Sequence, residues 1–120
     1  MKINYPSIIL VAGPYRSGTN DDPKLIKKNV EAMQETALDI YYKGHLPILG
    51  EWFALPLLKT AGSKKMGDDI WEALFHPVAI RLVSKCDVIL RIGGPSSGAD
   101  EMVRIGKEFG KTIIHSVEEL

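Results

Sequence analysis

The chain has 120 residues, 45% hydrophobic and 25% charged, which is the composition of a single soluble globular domain. Basic and acidic side chains number 15 each, so no net charge draws the protein toward a nucleic acid polymer or an anionic membrane. The first apolar run is too short for a signal peptide or a span, and the single cysteine, Cys86, excludes an internal disulfide. We therefore predict a cytoplasmic protein whose ligand is held by a local site.

The first third of the chain predicts a buried strand, a polar loop and a long helix. The continuous apolar run Ser7 to Ala12 is typical of a strand in a parallel sheet. In the loop after it, Tyr15 could stack on a base or cover a sugar, and Arg16 could pair with a phosphate or carboxylate. The alternative is an exposed loop with a solvated arginine. Asp22, followed by proline, predicts the start of the helix, and Gly44 predicts its end.

A second short strand is predicted at Leu46 to Leu49, and its proline, Pro47, favours an edge position. The residues after it fall where an α/β sheet binds its ligands, so Glu51 could hydrogen-bond a sugar hydroxyl and Trp52 could stack. The alternative is a helix-start carboxylate beside a core tryptophan. A short helix is predicted from Phe53 to Thr60.

The middle of the chain predicts a mobile polar loop and an interrupted helix. The loop AGSKKMGDD, residues 61–69, is a candidate lid over the site. A helix begins at Asp69, and Pro77 is expected to break it after Phe75 because proline pushes the preceding residue out of the α region. A second helical segment then runs from Val78 to Lys85. The histidine before the proline, His76, is expected to be structural.

The strongest pattern is a strand from Asp87 to Ile92, the loop GGPSSG, and a helix from Asp100 to Phe109. A glycine-rich loop that leads into a helix N-terminus is suited to binding an anion, although neither the dinucleotide fingerprint nor the P-loop is present. We hypothesise that Ser96 and Ser97 hold a phosphate or another anion there. The alternative is local, since Ser97 and Asp100 also fit a capping box. The inner face of the helix is predicted to carry four residues: Met102, Ile105, Gly106 and Phe109.

A last strand is predicted at Thr112 to His115, with a terminal turn from Val117 to Leu120. The alternation of strands and helices predicts a Rossmann-like or flavodoxin-like three-layer α/β domain, with a parallel sheet of four to five strands in the order 2-1-3-4. Ligands bind such sheets at the switch point, so the loops Gly13 to Asn20 and Gly93 to Gly98 should line one pocket. The three histidines and the cysteine lack metal-ligand spacing, so we predict no metal site and no cofactor.

These residues also resemble a known family. The stretches AGPYRSG, GH-x-P, CD and PSSGADE, in that order, resemble the nucleoside 2-deoxyribosyltransferase superfamily, which includes deoxynucleoside 5′-monophosphate N-glycosidases. The resemblance implies a Rossmann-like fold, a nucleoside or nucleotide ligand, and cleavage or transfer at the N-glycosidic bond by a glutamate nucleophile with an assisting acid. It also implies a homo-oligomer, a dimer or tetramer. GG-x-x-x-G resembles the cytokinin-activating phosphoribohydrolases, which act on the same type of bond.

Carried over by position, Ser96 matches a phosphate-binding serine and Gly98 the glycine of the loop. In the gap-free register, the nucleophile position of the family falls on Met102 and its second acid position on Ala79. Glu101, one residue before Met102, is therefore our candidate nucleophile. Candidate assisting acids are Asp69 and Glu51. The predicted substrate-binding residues are Gly13, Tyr15, Arg16, Ser17, Trp52, Gly94, Ser96, Ser97, Gly98 and Asp100. The alternative function is a non-catalytic nucleotide-binding module that keeps the loops without the acids.

Overall fold

The computed structural model describes residues 5–120 and has a four-stranded parallel sheet in the order β2-β1-β3-β4. Helices pack on both faces of this sheet, so the chain has the predicted three-layer Rossmann-like α/β fold and the predicted strand order. The strands are β1 (Ile8–Ala12), β2 (Leu46–Leu49), β3 (Val88–Arg91) and β4 (Thr112–Ile114). The edge position predicted for β2 from its proline is confirmed.

The helices connect successive strands and end at recognisable signals. They are α1 (Pro23–Tyr42), α2 (Gly50–Ala61), α3 (Asp69–Val83) and α4 (Ser97–Glu108), followed by a 3-10 turn, Val117–Glu119. The Asp22 side chain caps α1 by accepting the backbone N–H of Lys24, as the sequence predicted. No helix within residues 5–120 is both long enough and apolar enough to cross a bilayer.

The core is divided between the two faces of the sheet by the alternation of side chains along β1. Ile9 and Val11 pack with Met33 of α1 on one face. Leu10 and Ala12 lie on the other face, against residues of α3 and α4. Each fully buried aliphatic side chain of this kind contributes roughly 1.5–3 kcal/mol from apolar burial. The sheet is therefore held rigidly from both sides, which makes its carboxyl edge a firm support for a site.

The strand register brings the loops after β1, β2 and β3 to the same edge. Val11 lies opposite Leu49 of β2 and also opposite Leu90 of β3, so these strands end almost level. At the amino ends, Asp87 accepts a hydrogen bond from the backbone N–H of Ile8 at 2.8 Å. This carboxylate belongs to the CD pair that carries the resemblance. It joins β1 to β3 at the end of the sheet opposite its carboxyl edge.

The predicted break at Pro77 is wrong, because α3 continues through this proline without interruption. Proline removes one backbone hydrogen bond from a helix interior, a cost that tertiary packing can offset. In α3 the buried residues fall on both sides of the proline, with Trp71 before it and Ala79 and Val83 after it. Packing of one continuous face against α2 and the sheet therefore outweighs the local penalty.

The starts of two helices also differ from prediction. Helix α2 begins at Gly50 rather than Phe53, so its first turn includes Glu51. Helix α4 begins at Ser97 rather than Asp100, because the Ser96 hydroxyl accepts the backbone N–H of Ala99 and starts the helix earlier. Helix α4 also ends one residue earlier than predicted, at Glu108. Phe109, predicted on the inner face, is the C-cap residue and is 57% exposed.

Two adjacent glycines after β3 provide a matched test of the packing between the loops after β1 and β3. Gly93 has a φ of +80°, and a Cβ there would lie 2.6 Å from Cδ of Pro14 in the loop after β1. Gly94 has neither constraint. We expect Gly93→Ala to lower the free energy of unfolding by about 1–3 kcal/mol, since it adds both strain and a clash. We expect Gly94→Ala to stay within about 0.5 kcal/mol of the parent. Urea denaturation measures both, and equal effects would contradict the packing described.

Candidate functional site

A cleft of about 380 Å³ opens at the carboxyl edge of the sheet. It is formed by the loop after β1, the first turn of α2, one face of α3 and the first turn of α4. This is where an open α/β sheet with a switch point between β1 and β3 is expected to bind a ligand. Its volume lies within the range of small-molecule sites.

The cleft brings together most of the residues predicted from the sequence. Both glycine-rich loops reach it, and so do two of the three candidate acids; the predicted residues in its lining are Gly13, Tyr15, Arg16, Ser17, Glu51, Ser96, Ser97, Gly98 and Glu101. Four predicted residues lie outside the lining. Asp69 is exposed at the start of α3, Trp52 is 42% exposed on α2, Gly94 is exposed, and Asp100 faces Arg91 at 3.1 Å.

Glu51 is the most unusual group in the cleft. It is only 6% exposed, and its Oε2 atom is buried without a hydrogen-bond partner. Burial raises the pKa of this carboxyl from its usual 4.5 to about 7. Buried polar atoms in proteins are nearly always paired, so this unpaired buried carboxyl makes Glu51 a candidate functional group. At neutral pH Glu51 can both donate and accept a proton, which is what general acid-base chemistry requires.

Close packing between helices explains why this carboxylate points inward. Gly50, the first residue of α2, lies so near α3 that a Cβ on it would be 3.3 Å from Cβ of Ala79. This approach turns the first turn of α2 toward α3 and the sheet. Glu51, the next residue, is thereby directed into the cleft, whereas Trp52 is directed away from it.

Three aromatic rings form one wall of the cleft. The rings of Trp71 and Phe75, one turn apart on α3, stack with 4.5 Å between centroids and 11° between planes. Tyr15 packs against Phe75 with a centroid separation of 5.0 Å. Burial, and to a lesser extent the negative charge of Glu51, raises the pKa of the Tyr15 hydroxyl. The wall offers an apolar, aromatic surface beside the acidic group.

Arg16 borders the cleft but is already paired. Its Nε and Nη2 atoms each donate to a carboxylate oxygen of Asp21 at 2.8 Å, and its Nη1 lies 3.9 Å from Glu72. The guanidinium also lies 5.8 Å from the ring centre of Trp71. Asp21 holds this position with a φ of +59°, an uncommon conformation for a residue with a side chain.

The loop predicted to be a lid lies next to this arginine and is held by one aspartate. Asp68 accepts hydrogen bonds from the backbone N–H groups of Trp71, Lys64 and Lys65 and from the Ser63 hydroxyl. These bonds lower the pKa of Asp68 to about 2. The loop therefore has a defined conformation in the structure, and its movement as a lid stays a prediction.

The two serines at the N-terminus of α4 have different structural positions. Ser96 is buried, and its hydroxyl accepts the N–H of Ala99 at 3.2 Å, so it is the helix cap. The predicted capping box of Ser97 and Asp100 is wrong, because the helix begins one residue earlier than that pairing requires. Ser97 is the first helical residue, exposed and in the cleft lining. Its hydroxyl can therefore contact a ligand.

Glu101 lies at the rim of the cleft beside His76, with 3.3 Å between Oε2 and His76 Nε2. The contact does not have hydrogen-bond geometry, which leaves this buried histidine nitrogen without a hydrogen-bond partner. Met102 and Ala79, the two positions where the family places its acids, are buried in the apolar cluster beneath the cleft. No carboxylate reaches the cleft from either position.

The sequence did not identify the contribution of α3 to the site. Glu72, Phe75, His76 and Ala79 all line the cleft, at helical spacings of three, one and three residues. This pattern places them on one face of a continuous helix. The signal was present in the sequence but was hidden by the predicted break at Pro77.

Comparison with known proteins adds nothing to this description: no protein-family model and no curated protein matches the chain. Within residues 5–120, no group of three or more histidine, cysteine, aspartate or glutamate side chains is arranged to hold a metal ion.

The raised pKa of Glu51 predicts a specific pH dependence of stability. The folded state binds the proton of the Glu51 carboxyl more tightly than the unfolded state does. Protonation of Glu51 therefore stabilises the fold fully below pH 4.5, and this stabilisation is lost as the pH rises through about 7. Glu51→Gln should therefore match the parent near pH 4 and exceed its free energy of unfolding at pH 8, by up to about 3 kcal/mol. Chemical denaturation at both pH values measures this. The control is Glu31→Gln, an exposed residue of α1; a pH-independent effect of Glu51→Gln would contradict the burial.

The two serines at the start of α4 can be distinguished by stability. Ser96→Ala removes the helix cap and should lower the free energy of unfolding by about 1 kcal/mol. Ser97→Ala removes an exposed hydroxyl and should change it by less than about 0.5 kcal/mol. Thermal melts of the two variants measure the difference. A larger loss in Ser97→Ala would restore Ser97 as the cap.

Proposed function

We propose that this protein is an enzyme of the N-ribosyl hydrolase or transferase type, which cleaves or transfers at the N-glycosidic bond of a nucleoside or its monophosphate. The observation that carries the proposal is the buried, unpaired carboxyl of Glu51 in a cleft that also contains the carboxylate of Glu101. Two carboxyl groups on separate elements, in different surroundings, suit the acid and nucleophile roles of glycosidic bond cleavage.

In this mechanism Glu101 attacks the anomeric carbon as the ring oxygen helps to expel the base. A transition state with oxocarbenium character has positive charge on the sugar, which the two carboxyl groups stabilise. Glu51, whose pKa of about 7 keeps a large fraction protonated at neutral pH, donates its proton to the departing base. Water or a second base then displaces the glutamate from the sugar, which gives hydrolysis or transfer respectively.

The aromatic wall supports the same assignment. A nucleobase is a flat aromatic ring, and the cleft has Tyr15, Trp71 and Phe75 along one side. Of the two assisting acids predicted, only Glu51 lies in the lining, so Asp69 has no role in this mechanism.

The second candidate is a non-catalytic module that binds the same ligand. It is favoured by one observation: the two positions that match the acids of the family are the buried apolar residues Met102 and Ala79. In this case Glu51 and Glu101 would bind ligand hydroxyl groups without reacting.

The expected homo-oligomer stays a prediction. Helix α2 exposes four large apolar side chains, Trp52, Phe53, Leu55 and Leu57, which is a surface typical of contacts between protein chains. Light scattering coupled to size-exclusion chromatography would measure the number of copies.

Release of free base separates the enzyme from the binding module. The parent protein should release base from at least one member of a panel of ribo- and deoxyribonucleosides and their 5′-monophosphates, measured by chromatography. Glu101→Gln should lower the rate by about 100-fold or more, because the variant keeps the size of the side chain and loses the nucleophile. The control Glu31→Gln should leave the rate unchanged.

The pH profile tests Glu51 separately. If Glu51 is the general acid, the parent rate should fall as the pH rises above about 7, and Glu51→Gln should be slower and lack this limb. Glu101 is not the nucleophile if the rate of Glu101→Gln stays within a few fold of the parent. If no compound in the panel releases base, the binding module is the correct function.

A further inference from the structure

The charged side chains around the cleft affect whether a phosphorylated or an unphosphorylated ligand can bind there. Three acidic side chains line the cleft, those of Glu51, Glu72 and Glu101, and a pKa of about 7 keeps a large fraction of Glu51 protonated at neutral pH. Among the described residues in the lining, Arg16 is the only arginine or lysine. A phosphate would thus enter a space in which acidic groups outnumber the strongly basic one, and like charges at short range oppose binding.

One edge of the Arg16 guanidinium is also already occupied by a carboxylate. Its two donors on one edge, Nε and Nη2, are taken by Asp21 in the bidentate geometry that a phosphate would use. The remaining terminal nitrogen, Nη1, faces Glu72 at 3.9 Å. An incoming phosphate would therefore have to displace Asp21 or bind at the Nη1 side of the guanidinium, beside the carboxylate of Glu72.

Two other arginines near the cleft, Arg91 and Arg104, are also paired with carboxylates. Arg91 contacts Asp100 at 3.1 Å and donates to the carbonyl of Gly94, and Arg104 contacts Glu108 at 2.9 Å. Both arginines lie outside the lining.

The N-terminus of α4 is weakened as an anion site by its own sequence. The hydroxyl of Ser96 accepts the N–H of Ala99, and its carbonyl accepts the N–H of Asp100, so these donors are already paired. Asp100 and Glu101 add two negative charges within the first five residues of the helix, which offset the positive end of its dipole.

We propose that the cleft binds the unphosphorylated nucleoside and discriminates against its 5′-monophosphate, with Asp21 and Glu72 as the specificity-determining residues because they neutralise Arg16. This inference rests on the proposed function for the class of ligand, and it narrows that class to nucleosides. It also reverses the sequence-based hypothesis of a phosphate at Ser96 and Ser97. The hydroxyl of Ser97 is then available for a sugar hydroxyl.

Calorimetry on the full chain tests the proposal, with adenosine, 2′-deoxyadenosine, cytidine and 2′-deoxycytidine each compared with its own 5′-monophosphate. For the members that bind, we expect the nucleoside to have a Kd at least tenfold lower than the monophosphate at low salt. The difference should narrow as sodium chloride is raised, because screening weakens the repulsion. Where turnover is measurable, the ratio of kcat/KM values replaces the ratio of Kd values.

A double variant, Asp21→Asn with Glu72→Gln, frees Arg16 and removes one charge from the lining. It should tighten binding of the monophosphate at least fivefold relative to binding of the nucleoside. Glu31→Gln is the matched surface control and should change neither. If thermal melts show that the double variant is unfolded, Glu72→Gln alone replaces it, since Glu72 is exposed and contributes no core packing.

Equal or tighter binding of the monophosphate by the parent protein would overturn the proposal, as would absence of binding by every compound. A preference for the nucleoside that the variants leave unchanged would overturn the role of Asp21 and Glu72. Failure of the proposed function has a different signature: nucleosides bind with the expected preference and no base is released.

Discussion

The close approach of α2 to α3 is the contact on which the site depends. It requires two small residues, Gly50 at the start of α2 and Ala79 in the second half of α3. A Cβ on Gly50 would lie 3.3 Å from Cβ of Ala79, so a larger side chain at either position would force a shift between the two helices. The same packing holds Trp71 against α2, together with Ala54 and Leu58. One helix contact thus orients both the acidic group and the aromatic wall.

The cleft combines a group that opposes folding with a rigid support. An unpaired buried carboxyl destabilises the folded state when it is ionised. The surrounding fold can offset the cost because the sheet is packed on both faces and its central strands are almost fully buried. Around the rim of the cleft, by contrast, charged groups are paired: each arginine has a carboxylate partner. The lining of the cleft therefore keeps more acidic side chains than free basic ones.

The fold was predictable from local patterns because those patterns agree with the tertiary structure. Continuous apolar runs such as Ser7 to Ala12 mark strands buried on both faces, and Asp22 before a proline marks the start of α1. The switch-point rule then predicted that the loops after β1 and β3 would meet. The position of the cleft was predictable in the same way, and so was the presence of Glu51, Tyr15 and Ser97 near it. Which of the candidate groups face the cleft was not predictable in this way.

The amino-acid sequence by itself determined the order of elements, the parallel sheet and the edge at which the cleft lies, because these follow from short-range periodicity and from general rules of connection. Only the tertiary structure decided that α3 passes through Pro77, that Ser96 rather than Ser97 caps α4, and that Arg16 is paired with Asp21. Each of these depends on contacts or backbone geometry in three dimensions. The local helix and strand propensities of a sequence do not depend on such contacts, so they could not be predicted from it.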